Sequence, residues 1–171
     1  MRFPRTSPRT ILTGLAATLL LAACGAQPPA RSAGGSPGPQ EAIARVGDVS
    51  MRASVVQTST LGADVARQYG ISRDAGTVML LVAVRQGADG AETALPAQVT
   101  AAATDLRGQR QVIAMRELRV GDAGSGPGTT LLDYVGTVRT TLPDTLRCDV
   151  TLVREGGATS TMQFTREFFP R

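Results

Sequence analysis

Two thiols, Cys24 and Cys148, stand in a chain that has no histidine and no lysine. That narrows the available chemistry at once. A Ser-His-Asp or Cys-His relay needs an imidazole, and a Schiff base or a phosphate-loop lysine needs an amine. Arginine, carboxylate and phenol remain. Carboxylate pairs alone suffice for glycoside hydrolysis, and Asp133, Asp144 and Asp149 come into view as calcium ligands. None stands in a D-x-D-x-D or EF-hand spacing that would hold calcium, and strand ends and turns account for them. The glycine-rich "GSGPGT" at 124–129 carries Pro127 and no following basic residue, so it reads as a loop rather than a phosphate cradle. Asp105, Arg107 and Arg110 gather about Gly108 in "DLRGQR". They are polar turn residues, and with Tyr134 they form a candidate contact surface, because hairpin tips commonly make contacts. No cofactor and no metal is called for.

The position of Cys24 says more than its chemistry. Arg2, Arg5 and Arg9 precede an almost wholly apolar run from Ile11 to Ala23. The run is shorter than the roughly 20 residues a membrane-spanning helix needs. A positive start, a short apolar stretch and small residues at its end make a secretory signal, removed from the mature chain. Leu21, Ala22, Ala23 and Cys24 resemble the lipobox of bacterial lipoproteins. The resemblance implies cleavage before Cys24, a diacylglyceryl group on its sulfur and an acyl group such as palmitate on its new amino terminus. Each buried methylene contributes about 0.8 kcal/mol, so one chain binds reversibly and several anchor firmly. Gly25, where inner-membrane lipoproteins commonly carry Asp, points to the outer membrane, facing the periplasm. Residues 25–40, "GAQPPARSAGGSPGPQ", hold no apolar cluster and form a flexible linker reaching about 20–25 Å. The expected organisation is a signal peptide over 1–23, the lipid-bearing Cys24 and linker over 24–41, and one folded domain over 42–171.

That domain has about 130 residues, a common size for a single core. The whole-chain charge of +4 includes three arginines of the signal, leaving 15 arginines against 14 acids that alternate along the chain. Such a balance makes no phosphate-tracking patch, so nucleic acid is not an expected partner. With Cys24 acylated, Cys148 has no partner for a disulfide. In "LRCDVTLV" it shares parity with Val150 and Leu152, which places it on the core side of a strand as a small hydrophobe.

Period-two alternation runs through the domain. Strands are expected at Ser50–Gln57, Thr77–Val84, Ala97–Leu106, Gln111–Leu118, Leu131–Val138, Leu146–Arg154 and Thr161–Phe169. The second is apolar on both parities and suits a central strand covered on both faces. In the last, Arg166 interrupts the apolar face and belongs near a sheet edge or an ion pair. Gly108 and "REGGATS" mark hairpins, and "VGDAGSGPGTT" a long loop. "LGADVARQYG", with Asp64 in its first turn and Gly70 at its end, reads as a short helix between the first two strands. Seven short strands and one helical connector point to an all-β, immunoglobulin-like antiparallel β-sandwich, with a small barrel as the alternative. The domain lacks the tryptophan and cysteine pair of antibody domains.

Taken in order, "TLGADVARQYGISR", "VMLLVAV", "VTAAATDLRGQ", "MREL" followed by "GD", Tyr134, "DVTLVREGG" and "QFTREFF" resemble the bacterial family known as domain of unknown function 4426, over about residues 47–171. The resemblance implies a compact secreted β-sandwich and brings no catalytic residues. The chain departs from it at "GDVSMRASVVQ", which lacks the Tyr and His of family members there, and in carrying a lipobox and linker. Two functional classes follow. One is a non-catalytic binding or assembly module, held to the membrane by lipid on Cys24 and contacting an envelope protein or the cell wall by loops and sheet edges. The other is a small-ligand binder or carboxylate-based hydrolase of the periplasm, using acids, arginines and Tyr134.

Overall fold

The computed structural model describes residues 41–120 and 131–170. Ten strands run through them in chain order: β1 (Glu41–Val46), β2 (Val49–Gln57), β3 (Thr77–Gln86), β4 (Thr93–Ala94), β5 (Ala97–Thr104), β6 (Arg110–Ile113), β7 (Arg116–Val120), β8 (Leu131–Arg139), β9 (Asp144–Arg154) and β10 (Thr159–Phe168). A 3-10 turn (Thr58–Thr60) and the helix α1 (Ala63–Gln68) lie between β2 and β3. One sheet has the order β1-β2-β3-β8-β7, with β4 also pairing β3, and the other β10-β9-β5-β6. All pairings are antiparallel. The run β2-β3-β8-β7 facing β5-β9-β10 is the strand order of an immunoglobulin-like sandwich. β1 and β6 extend it at opposite edges.

Alternation in each strand produces the core. Ala53, Val78, Leu80, Val82 and Tyr134 from the first sheet meet Ala103, Leu146, Cys148, Val150, Leu152 and Phe164 from the second. Leu80, Leu146 and Leu152 are fully enclosed, each contributing roughly 1.5–3 kcal/mol by leaving water. β3 is covered on both faces, as its composition requires. Its outward Met79 joins Leu118 and Val135 in a second cluster, which Leu61, Tyr69 and Ile71 cover from the α1 connector. The segment that holds this short helix thus covers part of the outer face of the first sheet.

Where an eight-residue strand was expected at Gln111–Leu118, the chain forms two strands in different sheets. β6 pairs β5, the chain crosses at Ala114 and Met115, and β7 pairs β8. Gly136 of β8 permits the crossing. A Cβ there would lie 2.5 Å from Ile113 Cγ2, 2.8 Å from the Ala114 carbonyl oxygen and 2.9 Å from Met115 Sδ. β1 was not expected either. Its inward-facing residues are only Ala42 and Ala44, which pack against the core half-buried. The expected hairpin glycines hold: Gly108, Gly156 and Gly157 have φ of +80°, +88° and +82°. Arg166 lies on the edge strand β10, with its guanidinium 5.3 Å from the Phe164 ring centre. An inward-pointing charge on an edge strand discourages uncontrolled pairing with another chain. The "VGDAGSGPGTT" loop falls almost wholly outside the described residues.

Candidate functional site

One end of the sandwich is built from the close of β2, the start of β3, the β5–β6 hairpin and the β8–β9 turn. Each loop there is tied by a carboxylate to backbone donors. Asp105 Oδ1 accepts from the Arg107 and Gln109 amides at 2.9 and 2.8 Å, and the Gly108 amide donates to the Asp105 carbonyl. Asp144 Oδ1 accepts from the Leu106 and Thr145 amides, and its Oδ2 accepts from Thr140 Oγ1 at 2.6 Å. Burial works against its charge, but these hydrogen bonds prevail and hold its carboxyl below the ordinary value. Asp74 Oδ1 accepts from the Gly76 amide and from Thr77 Oγ1. These acids are structural clamps.

Between the loops lie two hollows. One, of about 330 Å³, runs along β8 and is lined by Gly70, Asp74, Thr77, Arg116, Gly136 and Arg139 among others. The other, of about 310 Å³, is lined by residues that include Asp105, Arg107, Gln109, Gln111, Arg139 and Thr141. Arg139 belongs to both. Its carbonyl accepts from Gln111 Nε2 at 2.9 Å, but no hydrogen bond or ion pair engages its guanidinium among the described residues. Arg116 donates one Nη2 to the Tyr69 carbonyl. Arg107 Nε stands 3.4 Å from Asp105 Oδ2, a loose pair with the rest of the guanidinium in solvent. The result is a polar groove rich in guanidinium, amide and hydroxyl groups, suited to holding a ligand by hydrogen bonds.

The anticipated contact residues divide. Arg107 lines the groove, whereas Asp105 has a side chain only 4% exposed and is engaged by the turn. Arg110 is exposed opposite Thr104 and lines neither hollow. Tyr134 offers no surface. It is buried in the core and its hydroxyl accepts from the Ala97 amide at 2.8 Å, joining β8 of one sheet to β5 of the other. Cys24 lies outside the described residues. Asp133 pairs with Arg85 at 2.6 Å, Asp144 holds the turn and Asp149 accepts from Gln163 Nε2, so the three acids sit in separate networks. Among the described residues no three metal-ligating side chains gather, and no helix is long and apolar enough to cross a membrane. Burial drives the Cys148 thiol up to about 11, assisted by Asp149 and opposed by Arg166. Sequence reasoning missed Arg139, which closes an unremarkable strand and acquires its place only when β3, β6 and the β8–β9 turn converge.

These features define an immunoglobulin-like sandwich with a polar groove at one end. The chain belongs to the family described as domain of unknown function (DUF4426), whose model matches residues 43–171. It is similar in structure to a DUF4426 family protein from Pseudomonas aeruginosa PAO1, with a TM-score of 0.57 and 25% identity over 77% of this chain and 96% of that one. No curated protein matches it.

Proposed function

We propose that this protein is a non-catalytic binding or assembly module of the bacterial cell envelope, anchored in the outer membrane by lipid on Cys24 and projected into the periplasm by the linker at 25–40. The observation that carries the binding role is the groove. Its acids are engaged in holding loops, while Arg139, at the junction of both hollows, has no partner among the described residues. Such a site offers recognition groups rather than an acid and a base in tandem. The apolar run ending at Leu21-Ala22-Ala23-Cys24 supports the anchor. Fractionating cells that express the full chain tests it. Wild type should sediment with membranes and Cys24→Ala should become soluble; equal sedimentation of both would refute the tether.

A further inference from the structure

The geometry points to an acidic peptide segment as the ligand of the groove, with Arg139 as the residue that takes its carboxylate. This rests on the reading of the protein as a binding module and specifies what is bound. An arginine fork binds a carboxylate through two parallel charge-assisted hydrogen bonds, and the Arg139 guanidinium has none of its donors engaged among the described residues. Among the described residues neither acid lining the hollows pairs with it. Asp74 is occupied by the Gly76 amide and Thr77, and Asp105 by the Arg107 and Gln109 amides. Each hollow is lined by two arginines against one acid, Arg116 and Arg139 against Asp74 in one and Arg107 and Arg139 against Asp105 in the other, so both favour negative charge.

The shape suits a chain rather than a compact ion. Two hollows of about 330 and 310 Å³ share Arg139 in their linings, so there is room for chain on either side of its guanidinium. Gln109, Gln111 and Thr141 in the second hollow are donors and acceptors of the kind that pair with peptide groups.

The test uses the chain from Glu41 to Arg171, which carries its own core because every residue of the main cluster lies within it. A short fluorescein-labelled peptide of alternating Glu and Ser is titrated by anisotropy, with phosphatidylglycerol vesicles and inorganic phosphate as competitors. Saturable, salt-sensitive binding is expected, falling about ten- to hundredfold in Arg139→Ala. Arg139→Lys should fall between the two. Arg45→Ala, which removes the same charge from the opposite end, should bind as wild type. Absence of saturable binding by the folded wild type would overturn the inference, as would equal losses in Arg45→Ala and Arg139→Ala. Displacement of the peptide by vesicles or phosphate at lower concentration than by unlabelled peptide would also overturn it, assigning the site to phosphate groups. Each of these outcomes leaves the tethered-module reading to its own experiment in cells.

Discussion

Replacing Gly136 by alanine separates two opposing effects by sign. The glycine lacks a positive φ, so alanine meets no backbone penalty, and it should restrict the unfolded chain enough to stabilise by about 0.4–1 kcal/mol. Against this, the new methyl would stand 2.5 Å from Ile113 Cγ2 and 2.8 Å from the Ala114 carbonyl oxygen. Ile113 is buried and cannot swing aside, and the carbonyl is backbone in the crossing between the sheets. Overpacking of this kind costs about 1–3 kcal/mol, and a backbone contact places it towards the upper figure. The net expectation is a loss of about 1–2.5 kcal/mol. For a domain of this length that is a fall of about 4–9 °C in Tm, read by thermal melts and checked by urea unfolding. An unchanged or raised Tm would show that the crossing does not press on β8, and the account of why the expected strand splits would fail.

Three further outcomes follow from single residues. Tyr134→Phe removes the acceptor of the Ala97 amide; leaving that donor unsatisfied should cost about 1–3 kcal/mol and speed hydrogen exchange at Ala97, and unaltered exchange would show that the bond is dispensable. Cys148 should resist thiol reagents at neutral pH until denaturant is added, because it is enclosed and its thiol is pushed up to about 11; rapid native labelling would contradict its burial. Asp144 has a carboxyl held below the ordinary value, so its contribution to stability is present above the unfolded value near about 4 and is lost as pH falls through the folded value. Asp144→Asn should therefore flatten the acid limb of the stability profile, and an unchanged limb would place the linkage elsewhere.

The sequence made most of the sandwich legible and little of the groove. β9 and β10 were readable because one face of each meets the core and the other does not, β3 because it is apolar on both faces, and the hairpin at Gly108 because its φ requires glycine. The split of Gln111–Leu118 was hidden. No Gly or Pro marks Ala114 and Met115, and the feature that permits the crossing, Gly136, lies on another strand. β1 was obscured because its inward side chains are alanines beside a Pro- and Gly-rich stretch. Asp105 and Tyr134 read as surface because polar atoms were seen without the buried donors they accept from. Arg139 is the converse: nothing local distinguishes it, and its role comes from three loops meeting at one end.

The most direct measurement of the central claim is photo-cross-linking in cells, with the reactive group placed at Gln109 in the groove or at Glu155 in the hairpin at the far end. A binding module predicts one reproducible envelope partner captured from Gln109 and not from Glu155, with capture lost in Cys24→Ala. Equal capture from both positions, or none from Gln109, would contradict it.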